Sequence, residues 1–140
     1  TFTLSVLPPF SSQTIDGEKI NYTILKDGGV LTFFRSTCGY CLLEYPTWVK
    51  MKEKYPNVLM VAVLHKESRE SARVFFANHE NPFDYIIDDR DNYLWRLFGA
   101  KSTPETFIFN SEFGVIGHLG YMRRGTKVLE AKLSHLNNLS

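Results

Sequence analysis

The sequence predicts one α/β domain in which short buried strands alternate with amphipathic helices. Two apolar runs, residues 30–34 and 58–64, have the length and composition of buried strands. The segment after the first run carries apolar residues at helical spacing, and no repeat or Pro/Gly-rich linker divides the chain. We therefore expect residues 1–140 to form a single domain.

The individual elements follow from turn residues and from the period of the apolar positions. Residues 10–25 carry short apolar runs around Asp16-Gly17, a turn dipeptide, and predict an N-terminal β-hairpin. Residues 42–55 predict a helix directly after the strand at 30–34, so the cysteines between them lie at a strand-to-helix junction. The later predicted elements are a strand at 58–64, a helix at 68–78, a strand at 85–87, a short helix at 93–98, a hairpin at 106–109 and 115–121, and a helix at 127–139.

The composition gives no electrostatic reason to expect a nucleic-acid partner, because 16 basic and 15 acidic residues leave a formal charge of +1. The longest apolar stretches fall well short of the roughly 20 residues that span a bilayer. The chain begins at Thr1 rather than Met. We therefore predict a processed product whose signal or anchor segment is absent from this chain.

Cys38 and Cys41 are the only cysteines in the chain, and they predict a redox pair. The loop between them is too short to give the chain-entropy stabilisation of a structural disulfide. At the start of a helix, the positive end of the helix dipole lowers the pKa of Cys38, which can then attack as a thiolate. Cys41 lies one turn later and can resolve the mixed disulfide. Such a pair can act as a reductant or as an oxidant.

A CxxC pair can also be half of a zinc site. Such a site needs further ligands, whereas this chain has no second CxxC, and its four histidines include no HxxxH pair. We therefore predict no metal site and no cofactor. A metal carrier that uses Cys38, Cys41 and His118 remains the competing hypothesis.

Two other positions are informative beside the cysteines. Glu44 lies three residues after Cys41 on the same predicted helical face, where a partly buried carboxyl with a raised pKa can accept the Cys41 proton. A solvated surface glutamate explains the same spacing equally well. Thr103-Pro104 directly precedes a predicted strand, where the local sequence alone favours a trans turn proline.

Residues 38–46 resemble the CxxCxxE-aromatic-Pro pattern of the TlpA/ResA/CcmG (DsbE) branch of thioredoxin-like proteins. The sequence Pro104-Glu105-Thr106-Phe107 is similar to a Pro-Glu-Thr-Phe segment of CcmG, and His118-Leu119-Gly120 is similar to its His-x-Gly. The resemblance implies a thioredoxin fold, with a central mixed β-sheet flanked by helices. It also implies an N-terminal β-hairpin and a central insertion at residues 68–82.

The same resemblance implies a role for each matching residue. Cys38 is the exposed nucleophile, Cys41 is the buried resolving thiol, and Glu44 is the acid that tunes them. Pro104 is a cis-proline that faces the sulfurs, and the backbone of Thr103 pairs with an extended substrate chain. The implied substrate-binding positions are Thr103, Pro104, Gly39 and Tyr40.

The resemblance further implies a thiol-disulfide oxidoreductase outside the cytoplasm, in the periplasm or on the outer face of the cytoplasmic membrane. Its expected substrates are protein disulfides such as those of apocytochrome c during cytochrome c maturation. A membrane-embedded thiol protein is the expected electron donor, and we expect a monomer. A protein-disulfide oxidant or isomerase is the alternative activity, and a copper carrier is the alternative function.

The chain departs from its thioredoxin-like relatives at informative positions. Thr32 occupies the strand position at which thioredoxin has a buried aspartate, which would leave proton handling to Glu44. Peroxiredoxins share the fold, but Arg35 stands where their Pro-x-x-x-Thr/Ser-x-x pattern needs Thr or Ser. Copper-delivering relatives use CxxxC, which is one residue longer than the spacing found here.

Overall fold

A five-stranded mixed sheet in the order β5-β4-β3-β6-β7 forms the centre of the computed structural model. The central strand β3 (Gly29–Phe34) runs parallel to β4 (Met60–Leu64) and antiparallel to β6 (Glu105–Phe109). At the edges, β5 (Tyr85–Ile87) is parallel to β4, and β7 (Val115–Leu119) is antiparallel to β6. The mixed sheet that the resemblance implies is confirmed.

The structure describes residues 3–123 and 125–139. Thr1, on which the prediction of a processed start rests, lies outside them. Within the described residues, no helix is long and apolar enough to span a bilayer.

The predicted N-terminal hairpin is present as a separate two-stranded antiparallel sheet. Its strands are β1 (Ser11–Gln13) and β2 (Lys19–Asn21), and a short 3-10 helix follows at Tyr22–Leu25. The turn between the strands uses the left-handed backbone of Gly17, with a φ of 84°. This agrees with a turn dipeptide at that position.

Four α-helices complete the fold of the residues that the structure describes. Ser68 caps α2 by accepting a hydrogen bond from the Ser71 N–H, and α3 ends at Gly99, whose φ of 68° is the left-handed conformation that terminates many helices. Each helix agrees with its predicted position to within a few residues. Their bounds are Gly39–Lys54 for α1, Arg69–Ala77 for α2, Tyr93–Phe98 for α3 and Lys127–Leu139 for α4.

The two faces of the sheet carry separate hydrophobic clusters, because successive side chains of a strand point to opposite sides. Val30 and Phe34 pack in the first cluster with buried residues of α1, α2 and α4. Leu31 and Phe33 pack in the second with α3 and the N-terminal segment. Cys41 belongs to the first cluster, so its side chain lies on the α1 face of the sheet.

The topology brings two loops together where strand β3 ends and strand β6 begins. Strand β3 ends at Phe34, just before the cysteines, and β6 begins at Glu105, just after Pro104. Because β3 and β6 are antiparallel, with Phe33 opposite Glu105, the end of one strand lies beside the start of the other. The Cys38 loop and the Pro104 loop therefore meet.

Candidate active site

Cys38 is the N-cap residue of α1 and is partly exposed. Its sulfur accepts a hydrogen bond from the Cys41 N–H at 3.2 Å and lies 3.4 Å from the Thr103 carbonyl oxygen, to which the thiol donates. Burial acts to raise the pKa of this thiol, but hydrogen bonds with the side chains of Cys41 and Thr103 and with the backbone of Cys41 and Tyr40 outweigh it. The pKa of Cys38 consequently lies below its ordinary value of 9.0.

Cys41 has the opposite environment one turn inside the helix. Its side chain is 1% exposed, and both cysteines are free thiols. Burial raises the pKa of Cys41 to about 12, and the neighbouring Cys38 adds to the increase. The two thiols therefore differ in both access and acidity, with Cys38 the more acidic and the more accessible.

Glu44 is a buried carboxyl rather than a solvated surface glutamate. Its side chain is 3% exposed, accepts a hydrogen bond from the Trp48 indole N–H at 3.1 Å, and accepts another from the Met122 N–H at 3.0 Å. Burial raises its pKa, although these two hydrogen bonds oppose the shift. A carboxyl in this state can take up a proton at a higher pH than a solvated one.

The peptide bond between Thr103 and Pro104 is cis, so the trans bond that the local sequence favours is wrong. Pro104 is buried, and Thr103 presents its carbonyl oxygen to the Cys38 sulfur. Thr103 and Pro104 are thus brought to the cysteines from a distant part of the chain.

Gly39 and Tyr40, the two residues between the cysteines, are both exposed. The Tyr40 ring is 59% exposed and lies against Tyr121, with 4.7 Å between ring centroids. A Cβ added to Gly39 would meet no atom within 4 Å, so packing does not require glycine there. The surface beside Cys38 is therefore aromatic and accessible.

Thr32 is buried in the centre of the sheet, at the position where thioredoxin has its aspartate. Its hydroxyl is 2.9 Å from the Thr106 hydroxyl on the neighbouring strand, so the pair satisfies its polar groups without a charge. Thr32 alternates with Val30 and Phe34 and therefore faces the α1 side of the sheet. On that face the buried carboxyl among the described residues is Glu44.

Glu105 is a buried carboxylate to which the sequence alone assigned no role. One oxygen accepts hydrogen bonds from the N–H groups of Lys101 and Ser102, at 2.7 and 3.1 Å. The other lies 2.6 Å from Nε2 of His118, whose ring stacks on Phe107. Glu105 therefore anchors the loop that carries Thr103 and Pro104. Its side chain lies on the face of the sheet opposite Cys41.

Replacing Glu105 tests this anchor. We expect Glu105→Ala to lower the free energy of unfolding by about 1–3 kcal/mol, because three groups lose their partner. Glu105→Gln should stay within about 1 kcal/mol of the parent, since an amide oxygen still accepts from the two N–H groups and the amide N–H₂ can donate to His118. Urea denaturation measures both values, and equal losses in the two variants would contradict the hydrogen-bond explanation.

No group of three or more His, Cys, Asp or Glu side chains within residues 3–123 and 125–139 is arranged to hold a metal ion. His118, the histidine of the metal-carrier hypothesis, is engaged by Glu105 and stacks on Phe107 in the second cluster. Cys41 lies in the first cluster, across the sheet. The described residues thus do not combine the three side chains of that hypothesis.

The contacts that sequence reasoning missed come from distant segments. The sequence contains no signal for the hydrogen bond from the Met122 N–H to Glu44, residues that lie 78 positions apart in the sequence. Nor does the sequence contain a signal for the contact between the Tyr121 and Tyr40 rings. Glu105 had a partial signal, since it stands in the Pro-Glu-Thr-Phe segment.

A family model described as the AhpC/TSA family matches residues 5–118. The probable thiol:disulfide interchange protein DsbE-2 of Pasteurella multocida is 26% identical over 87 residues, which cover 62% of this chain and 44% of that protein. The thiol:disulfide interchange protein HelX of Rhodobacter capsulatus is 27% identical over 86 residues, which cover 60% of this chain and 48% of HelX. The matched region thus spans about half the length of each relative.

A solved structure of a secreted Mycobacterium tuberculosis disulfide oxidoreductase, homologous to E. coli DsbE, superimposes with a TM-score of 0.79. It is 16% identical, and the match covers 90% of this chain and 95% of that one. At this identity the match shows a shared fold and nothing finer.

Proposed function

Because this chain belongs to the AhpC/TSA family and carries an asymmetric pair of thiols, we propose that it is a thiol-disulfide oxidoreductase. The observation that carries the proposal is the contrast between Cys38 and Cys41. Cys38 is accessible with a lowered pKa, whereas Cys41 is buried with a pKa raised to about 12. This is the division of roles that attack and resolution need.

The proposed reaction begins when the Cys38 thiolate attacks one sulfur of a substrate disulfide. A Cys38–substrate disulfide forms, the substrate S–S bond breaks, and the first substrate thiolate leaves. Cys41 then loses its proton and attacks the Cys38 sulfur, which releases the second substrate thiolate. The substrate gains two electrons, and the protein retains a Cys38–Cys41 disulfide.

Glu44 is the proposed proton acceptor for Cys41. A thiol with a pKa of about 12 is almost fully protonated at neutral pH, so resolution needs a base. Glu44 follows Cys41 by three residues in α1, a spacing that puts two side chains on one face of a helix. Its burial and raised pKa support this assignment.

Thr103, Pro104, Gly39 and Tyr40 are the proposed substrate-binding residues. They surround Cys38 from two loops, and the Thr103 carbonyl oxygen already lies 3.4 Å from the Cys38 sulfur. An extended substrate segment placed over Cys38 would pass the Thr103 backbone on one side and the exposed Tyr40 ring on the other.

The direction we propose is reduction of protein disulfides outside the cytoplasm, with apocytochrome c as the substrate and a membrane-embedded thiol protein as the electron donor. Residues 38–46 and 104–107 support this direction through their similarity to the CcmG branch. The names of the DsbE-2 and HelX relatives as thiol:disulfide interchange proteins support the activity. The similarity of residues 38–46 to the same branch of extracytoplasmic proteins supports the location. We propose that the protein acts as a monomer.

The reduction potential of the Cys38–Cys41 pair tests both activity and direction. The protein is equilibrated in dithiothreitol or glutathione buffers, and its free thiols are trapped and counted by mass spectrometry. We expect a potential near or below that of thioredoxin-like reductants, about −230 to −270 mV. A value above about −150 mV would instead indicate an oxidant or isomerase. If the Cys38–Cys41 pair shows no reversible two-electron couple, the proposed oxidoreductase activity is excluded.

A further inference from the structure

Glu67 joins the loop that carries Cys38 to the start of α2. One of its carboxylate oxygens accepts a hydrogen bond from the Ser36 N–H at 2.8 Å. The other accepts from the Ser36 hydroxyl and, at 2.7 Å, from the Ser71 hydroxyl. Three hydrogen bonds thus converge on one partly buried side chain, two of them from a residue only two positions before the cysteine.

The position of Glu67 follows from the sheet. Strands β3 and β4 are parallel neighbours, so their carboxyl ends lie at the same edge, and the loops that follow them are adjacent. Lys66 has a left-handed backbone with a φ of 52°, which turns the chain immediately before Glu67. Ser68 then caps α2, and this fixes the segment after Glu67.

The segment from Arg35 to Cys38 positions both thiols. The Cys38 N–H donates to the Arg35 carbonyl oxygen at 3.1 Å and closes the turn that presents Cys38 at the helix N-terminus. A backbone hydrogen bond from Arg35 also lowers the pKa of Cys41 against the effect of burial. Ser36 lies inside this turn, so a bond that holds Ser36 holds the geometry of both sulfurs.

We propose that Glu67 is a positioning residue for the nucleophile loop and sustains the reactivity of Cys38 through its two bonds to Ser36. The inference rests on the proposed function, because it assigns Cys38 as the nucleophile. Glu67 also carries a negative charge, which by itself would disfavour a nearby thiolate. The geometric effect of Glu67 on Cys38 therefore exceeds the effect of its charge.

Two conservative variants separate geometry from charge. Glu67→Asp retains the charge but shortens the side chain by one methylene, which withdraws the carboxylate from Ser36. Glu67→Gln removes the charge but retains the length and an acceptor oxygen for the Ser36 N–H. Glu70→Asp and Glu70→Gln are the matched controls, because Glu70 is exposed in the first turn of α2, three residues after Glu67.

The readout is the pH dependence of Cys38 alkylation by iodoacetamide in the reduced protein, followed by mass spectrometry. We expect Glu67→Asp to move the midpoint of the profile to higher pH and to slow alkylation at pH 7 by about 3–10-fold, since one pKa unit changes the thiolate population tenfold. Glu67→Gln should remain within about twofold of the parent, and both Glu70 variants should match it.

Two outcomes would overturn the proposal. Faster alkylation in Glu67→Gln with a parental rate in Glu67→Asp would show that only the charge matters. Unchanged profiles in both variants, with or without a lower melting temperature, would show that Glu67 has a purely structural role. Alkylation needs no disulfide partner, so this experiment is independent of the redox couple, whose absence would count against the proposed function alone.

Discussion

Replacing Cys38 with serine is expected to slow the first thiol-disulfide exchange by about 100-fold or more. Cys41 has a pKa of about 12, and that of Cys38 lies below 9.0, so their thiolate populations at neutral pH differ by at least about 10³. The more basic thiolate is intrinsically the better nucleophile, which offsets part of this difference. The expected ratio of the two rates of attack is then about 40. Burial of Cys41 then adds a steric barrier, and burial is also the main cause of its raised pKa, so it persists without Cys38.

A chromogenic aryl disulfide such as 5,5′-dithiobis(2-nitrobenzoic acid) measures this effect. The parent protein should release two thiolates, the first by attack of Cys38 and the second by attack of Cys41 on the mixed disulfide. Cys41→Ser should release only the first and retain the aryl group on Cys38. Rapid release of the first aryl thiolate by Cys38→Ser would contradict the role of Cys38 as the nucleophile. Loss of the aryl group from Cys41→Ser at the parental rate would contradict the role of Cys41 as the resolving thiol.

The second large effect is expected from Glu44→Gln in the resolution step. An amide cannot accept the Cys41 proton, so we expect the second thiolate release to slow by about 10–100-fold at pH 7, at the lower end of what general bases contribute. The first release should be nearly unchanged. Glu53→Gln is the matched control, because Glu53 is an exposed glutamate on the same helix. An unchanged second release between pH 6 and 8 would remove Glu44 from the mechanism.

The pH dependence of stability tests independently whether the pKa of Glu44 is raised in the folded protein. A group whose pKa is raised in the folded state contributes stability below its unfolded pKa, here near 4.5, and loses that contribution as the pH rises through the folded value. Glu44→Gln should lack this decline, which urea denaturation between pH 4 and 8 can detect. The amide also leaves either Trp48 or Met122 without an acceptor, so the slope with pH, rather than the absolute stability, carries the comparison.

Local sequence predicted the elements that depend on nearby residues. The predicted helices at 68–78 and 93–98 and the turn at Asp16-Gly17 are present, because the cap at Ser68, the left-handed Gly99 and the turn each act within a few positions. The spacing of Cys38 and Cys41 at a strand-to-helix junction belongs to the same class. Those features predict the proposed reacting pair and its position in the fold.

Burial and long-range pairing had to come from the tertiary structure. The sequence left Glu44 equally compatible with solvent and with the interior, and packing of α1 on the sheet decides for the interior. The cis bond before Pro104 opposes the local preference, because the surrounding chain selects the isomer. The bonds from Met122 to Glu44 and from Ser36 to Glu67 connect segments that meet only after the sheet has formed. Spacing along the chain thus specifies which groups are available, whereas their protonation and reactivity depend on solvent exclusion and on hydrogen-bond partners supplied by remote residues.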